Sequence, residues 1–223
     1  MPYDAEVIGA VRDSGEHSDR DDIVVCAAGT LPAELHKLWR TSQPGGYHVE
    51  YGYSCMGYEI AGALGVKLAR PQAEVISMLG DGSYLMLNSE IATSVMLGCK
   101  LIVVVLDNRG YGCIQRLQLA SGSPRFNNLL DDCGAPVAID FAAHAASLGA
   151  TAVHVKDIAE LKSAMRNARA AKSTQVIVFD TTPWRTTDDG GAWWEVAIPE
   201  VSPRAEVRVA REQYDAAKKG QQT

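Results

Sequence analysis

Apolar residues along this chain change spacing repeatedly, and the changes divide it into short strands and amphipathic helices. Ile23-Val24-Val25-Cys26-Ala27-Ala28 is a compact apolar run that ends at Gly29-Thr30. Glu74 to Leu79 is a second short run, broken sharply by Gly80-Asp81-Gly82-Ser83. Lys100 to Leu106 (KLIVVVL) is the strongest strand signal, apolar on both faces as a central parallel strand must be. Ala152 to Val155 and Gln175 to Phe179 complete the strand set. Helical spacing fills the intervals. A short amphipathic helix covers 4–14, with Asp4 as its N-cap. Another starts near Pro32 and presents Leu35, Leu38 and Trp39 as a stripe. Met56 to Ala69 is a helix of small residues, Leu85 to Leu97 a fourth helix, and Phe141 to Leu148 and Ile158 to Ala170 two more. Thr41 to Gly46 reads as a loop, Asn108 to about Pro136 as a Gly-rich irregular stretch, and everything from Thr181 as a polar tail carrying Trp184, Trp193 and Trp194.

Strands alternating with helices predict an α/β fold, a three-layer αβα arrangement around a mainly parallel sheet. The expected organisation is an N-terminal helix and linker over 1–19, one domain over 20–182 and a C-terminal tail over 183–223. Ligands of such sheets gather beyond the carboxyl ends of the strands. The residues that follow each strand therefore matter most.

Composition narrows the field. The 223 residues carry 21 Lys+Arg against 27 Asp+Glu, a net charge of -6. No basic excess exists to displace counterions from nucleic acid. The longest apolar run, Leu101 to Leu106, is far short of the ~20 residues that span a bilayer. The polar, acidic start shows no signal peptide. Cys26, Cys55, Cys99, Cys113 and Cys133 are odd in number and form no CxxC pair, which suits free thiols in a reducing cytoplasm.

Two loops after strands carry the chemistry. Asp81 and Asn108 each lie two residues past a strand, with 26 residues between them, the content of one αβ unit. On neighbouring strands, about 4.8 Å apart, a carboxylate and an amide oxygen would converge on one point. Hard oxygens of this kind suit Mg²⁺, which also accepts phosphate oxygens. Gly82 and Ser83 stand directly before a helix, where unpaired N–H groups favour an anion. One loop thus offers a metal ligand and a phosphate cradle together.

Gly80-Asp81-Gly82-Ser83, the 26-residue interval and Asn108 resemble the thiamine-diphosphate-binding motif, with Asp107-Asn108 in place of the usual Asn-Asn. The helix sequence from Asp140 to Ala150 resembles the one that follows the cofactor loop in those enzymes. Cys26 to Pro32, Leu35 to Arg40, Gly46 to Ile60, Gly80 to Met86, Trp193 to Val196 and Glu200 to Ser202 are similar to the trihydroxycyclohexane-1,2-dione hydrolase branch of inositol catabolism. The resemblance implies that Asp81, Asn108 and the Gly110 carbonyl hold Mg²⁺. It implies that the Gly82 and Ser83 N–H groups hold the diphosphate of thiamine diphosphate, with Gly29 and Thr30 lining the same groove and Gly80 also among the cofactor-binding residues. It further implies that the Ser54 carbonyl faces the aminopyrimidine and that Met56 lies under the bend forcing the cofactor into its V shape. The implied reaction opens a cyclic 1,2-diketone by C–C hydrolysis.

Members of that family are much longer, and the glutamate that activates the pyrimidine belongs to a domain for which this chain shows no motif. No catalytic residue is therefore assigned here, and Glu50 and Glu59 are not given that role. A pyrimidine-binding domain or chain is the expected partner, homo-oligomerisation is expected, and the chain alone should be silent. The stretch from Cys113 to Cys133 departs from the branch pattern in Arg116, Arg125 and Asn127-Asn128. Two other readings are an acetolactate-synthase-like or 2-oxoacid decarboxylase-like enzyme, and a non-catalytic remnant that dimerises. His36, His48, His144 and His154 lack metal-ligand spacing, and His48 is the one to test for proton transfer. Arg109 contacts an anion or stands exposed on its loop.

Overall fold

The structure, a computed structural model, describes residues 1–14, 22–41, 43–134, 138–187 and 195–221. Trp193 and Trp194 lie outside the described residues. Six strands, β1 (Ile23–Cys26), β2 (Tyr47–Val49), β3 (Val75–Gly80), β4 (Ile102–Asp107), β5 (Thr151–Val155) and β6 (Gln175–Asp180), form one sheet in the order β2-β1-β3-β4-β6-β5. Every pairing is parallel. Around it lie α1 (Asp4–Arg12), α2 (Thr30–Leu38), α3 (Tyr58–Ala69), α4 (Asp81–Met86), α5 (Glu90–Met96), α6 (Gly112–Ala120), α7 (Phe141–Ser147), α8 (Ile158–Ala170) and α9 (Ala205–Gly220).

Alternation along the strands makes two cores. Val24, Cys26, Ile76, Met78, Val104 and Phe179 face the layer of α1, α2 and α8. Ile23, Val25, Val75, Leu79, Val103 and Val178 face α3, Tyr84 and Phe141 on the opposite side. This is the three-layer αβα arrangement. At the amino ends of the strands, Arg169 grips Asp22 through two bonds of 2.8 and 2.9 Å, and Lys100 pairs with Glu74 at 2.9 Å. Both pairs are half-buried or better, so they fix the lower rim and leave the upper rim for ligands.

Several elements differ from the sequence reading. Asp4 is not an N-cap: Tyr3 takes that position, and Glu6 reaches back to its N–H at 3.1 Å. Asp4 is instead the first helical residue and is 1% exposed. α1 packs against the sheet, with Val7, Ile8, Ala10 and Val11 in its core. The helix expected over Leu85 to Leu97 is two helices, for α4 starts at Asp81 itself and Leu87 is extended (φ -154°, ψ 96°). Asn88 closes that break by donating its side-chain amide to the Tyr84 carbonyl at 3.0 Å. The stretch read as irregular contains α6 and a 3-10 turn at Leu130–Asp132. The polar tail contains α9, whose Val207, Ala210 and Tyr214 close on Ile198 as a small separate core. Gly122 lets it approach, since a Cβ there would lie 2.5 Å from the Glu206 carbonyl.

The chain turns back at β1. It pairs β2 on one side, and β3 then lies on the other, so the crevice beyond β1 and β3 is a switch point of the sheet.

Candidate functional site

A cavity of about 310 Å³ opens at that switch point. Gly29, Thr30, Ser54, Met56, Gly80, Gly82, Ser83, Asn108 and Gly110 all line it. Asp81 lies just beneath, 2% exposed. The structure thus brings together the residues expected to hold the metal and the cofactor. It adds Asp4 from α1, and Tyr111, Cys113, Ile114 and Leu117 from α6 or its start, none of which the sequence reading placed at the site.

Register explains the convergence. Gly80 pairs with Leu106 on adjacent parallel strands, so Asp81 and Asn108 leave the sheet side by side. The N–H groups of Gly82, Asn108 and Gly110 face the Asp81 carboxylate and hold its pKa down. Burial and the neighbouring Asp107 outweigh them and push it well above the usual carboxylate range. Asp107 is itself raised, chiefly by burial, although it accepts the Arg109 N–H at 2.8 Å. One Asp81 oxygen and the Asn108 amide oxygen are buried with no hydrogen-bond partner. Buried oxygens without partners are rare in folded proteins. Two of them beside a second carboxylate suit a hard divalent cation such as Mg²⁺, which relieves both the orphaned lone pairs and the carboxylate repulsion. No cluster of three or more His, Cys, Asp or Glu side chains with metal-binding geometry occurs among the described residues. A cation here therefore needs a backbone oxygen and ligand oxygens to complete its shell.

The anion half of the site comes from helix starts. α2, α4 and α6 begin after Gly29, Gly80 and Tyr111, and none of these caps its helix with a side chain. All three starts line the same cavity. Their unpaired N–H groups and aligned peptide dipoles favour a phosphate at this point. Shape is set by the loop between β2 and α3. Ser54 holds a left-handed φ of +57° and Gly57 one of +94°, with Met56 between them on the cavity wall. Glu50 secures the loop by accepting the N–H groups of Tyr53 (3.1 Å) and Cys55 (2.6 Å). Glu59 does the same for Gly57 at 2.8 Å. Glu50 is thereby occupied in holding backbone, and Glu59 through one of its two oxygens.

Gly110 is the tightest point. At φ +136°, a Cβ would overlap the Asn128 carbonyl oxygen and stand 3.1 Å from the Leu129 Cα. Both are backbone, so nothing yields easily. Gly110→Ala should therefore cost at least ~2 kcal/mol of stability and dislodge the Asn108–Gly110 loop. Thermal unfolding with and without Mg²⁺ checks this: the variant should melt lower and lose any response to the metal.

Other candidates fall away. His48 is on β2 and faces the groove of Gly45, Tyr58 and Arg70 instead of the cavity. His144 accepts or donates to the Tyr84 hydroxyl at 2.8 Å on the α3 side of the sheet. Arg109 turns to Asp131 at 2.8 Å. All five cysteines are free thiols. Among the described residues no helix is long and apolar enough to cross a membrane.

Comparison with known proteins agrees with this geometry. Residues 27–179 match the family model of the thiamine pyrophosphate enzyme C-terminal TPP binding domain. The chain is 43% identical over 204 residues to 3D-(3,5/4)-trihydroxycyclohexane-1,2-dione hydrolase of Bacillus anthracis, covering 87% of this chain and 31% of that protein. The Bacillus subtilis hydrolase is 40% identical over 200 residues, covering 89% and 31%. The chain thus spans about a third of the length of these relatives. Among solved structures, the thiamine diphosphate-dependent 4-hydroxybenzoylformate decarboxylase of Rhodococcus jostii RHA1 superposes with a TM-score of 0.71 at 21% identity, covering 81% of this chain and 32% of that one. Benzoylformate decarboxylase from Polynucleobacter necessarius gives 0.68 at 22%, covering 80% and 33%. At that identity the two decarboxylases speak for the fold alone. An all-parallel sheet with its cavity at the β1/β3 switch point, uncapped helix starts around it and relatives of this similarity lead to one assignment: the chain belongs to the thiamine pyrophosphate enzyme C-terminal TPP-binding domain family.

Proposed function

We propose that this chain is the cofactor-holding part of a cytoplasmic hydrolase that opens a cyclic 1,2-diketone of the trihydroxycyclohexane-1,2-dione type. What carries the reading is 43% identity to such a hydrolase across 87% of the chain. The orphaned oxygens of Asp81 and Asn108, set among uncapped helix starts, support its cofactor half. Asp81, Asn108 and the Gly110 carbonyl hold Mg²⁺. The N–H groups of Gly82 and Ser83, with Gly29, Thr30 and Gly80, hold the diphosphate. The Ser54 carbonyl faces the aminopyrimidine, and Met56 supports the bend. When bound, thiamine diphosphate supplies the nucleophile and the electron sink for breaking the C–C bond. This chain's own groups bind, orient and shield.

The pyrimidine-activating carboxylate comes from a domain outside this chain, in a partner or a second polypeptide, and the working form is an oligomer. Exposed Tyr53, Met86 and Leu87 give such a partner an apolar face at the loop that carries Ser54, since Met86 and Leu87 stand beside Gly57. The test is calorimetry with Mg²⁺ and thiamine diphosphate, followed by assay on the cyclic diketone with and without a pyrimidine-binding domain. Binding heat together with turnover only in the reunited protein is expected. Turnover of any 2-oxo substrate by the chain alone contradicts the proposal.

A further inference from the structure

Arg116 stands on the second turn of α6, and neither the metal set nor the helix-terminal amides use it. Its donors point inward. One donates to the Pro183 carbonyl at 2.6 Å and another to the Thr30 hydroxyl at 3.1 Å. Thr30 opens α2, lines the cavity and is 6% exposed. A hydroxyl oxygen that accepts from a guanidinium still has its own proton to give. Among the described residues no hydrogen bond takes that proton. The backbone around it is equally unspent, because Gly29 has no side chain with which to cap the helix. Asp4, which also lines the cavity, feels the charge of Arg116. It is 1% exposed with the Thr181 hydroxyl beside it, but no hydrogen bond of good geometry reaches either carboxylate oxygen. Glu34 also faces this group but is held by Thr187 (2.6 Å to the hydroxyl) and by Lys37 at 3.6 Å. A cation, a hydroxyl with a proton to give and an unpartnered acid thus meet at one end of the groove.

We propose that Arg116 and Thr30 form a relay that reads the terminal phosphate of the cofactor. Arg116 is the positioning residue: it engages the Thr30 oxygen, so the hydroxyl proton points into the cavity toward a phosphate oxygen. Its charge stands behind that bond, and charge-assisted hydrogen bonds are the strong ones. Asp4 is the competing anion, setting how much of the guanidinium's charge the ligand feels. The inference rests on the cofactor reading above and goes beyond it, since it assigns selectivity for a diphosphate over a monophosphate to a residue on α6. The competing role for Arg116 is a brace that holds the tail through Pro183 and has no bearing on the ligand.

Calorimetry on the full chain separates these, with Mg²⁺ and either thiamine diphosphate or thiamine monophosphate as probes. Arg116→Gln and Thr30→Val should each weaken diphosphate binding about tenfold. The double variant should be no weaker than either single one, because both break one relay. Thr30→Ser should restore binding, Asp4→Asn should tighten it a few-fold by removing the competing charge, and the monophosphate should be indifferent to all of them. Thr30→Val and Thr30→Ser leave the Pro183 brace intact, so this pair decides the matter if Arg116→Gln does not fold. Undiminished diphosphate binding in Arg116→Gln or Thr30→Val, additive losses in the double variant, or weaker binding in Asp4→Asn overturns the relay alone. A wild-type chain that binds neither probe overturns the cofactor reading, and the relay with it.

Discussion

Asp81→Asn should do two opposite things: stabilise the unliganded chain and abolish its metal-dependent binding. The Asp81 carboxylate is 2% exposed, has one oxygen without a partner and lies against Asp107. Asparagine keeps the shape and removes both the desolvated charge and the repulsion. The gain is on the order of 2 kcal/mol, given that each unit of pKa shift is worth 1.36 kcal/mol. For a chain of this size that raises the melting temperature by roughly 4–8 °C. The binding effect is larger. Changing groups that merely support metal ligands costs ~10–100-fold in affinity, so neutralising the charged ligand itself should cost at least ~100-fold. Melting without ligand and calorimetry with Mg²⁺ and thiamine diphosphate read the two effects separately. A variant that melts lower and binds normally would show that Asp81 is an ordinary structural carboxylate.

Acidification should strengthen the unliganded fold over the range where physiological pH lies. Asp4, Glu59, Asp81 and Asp107 are all pushed upward, in each case first by burial. A raised carboxylate gives its full stabilisation below the unfolded value near 4 and loses it as pH rises through the folded value. For Asp4, pushed up to about 6, the loss falls between about pH 4 and 6 and amounts to roughly 3 kcal/mol. Asp13, Glu50 and Glu195 are shifted down, by Arg12, by backbone N–H groups and by Tyr214 with Lys218, so they act only below about pH 4.5. Denaturant titrations at pH 5, 6.5 and 8 should therefore give stability that falls with rising pH. Asp4→Asn should flatten the curve at its acid end, between pH 5 and 6.5. Saturating Mg²⁺ with thiamine diphosphate should also flatten it, because the cation favours ionised Asp81. Stability that climbs steadily from pH 5 to 8 in the unliganded chain would contradict this.

The architecture was legible where burial is two-sided or strictly periodic. The run at β4, apolar on both faces, left no alternative to a central parallel strand, and α8 showed its stripe of Leu161, Met165 and Ala168 plainly. The convergence of Asp81 and Asn108 was legible because it depends on register, and register follows from strand ends. What escaped had weak local signals. β2 has three residues, too few for periodicity, and exists because β1 offers it an edge. α6 buries only Gly112 and Gln115, so it carries almost no apolar stripe. α9 did carry one, with Val207, Ala210 and Tyr214 at helical spacing, but its charged surroundings read as tail. Asp4 was misjudged for a different reason. An acid near a helix start suggests a cap, and only tertiary packing turns it into a buried group at a cavity wall.

The most direct test of the central claim is crystallographic: the chain crystallised with thiamine diphosphate and Mn²⁺ as an anomalous stand-in for Mg²⁺. The account predicts one anomalous peak at about 2.1 Å from an Asp81 oxygen, the Asn108 amide oxygen and the Gly110 carbonyl oxygen, bridging to the diphosphate. Cofactor bound in the groove with the peak elsewhere, or with no peak at all, would contradict it.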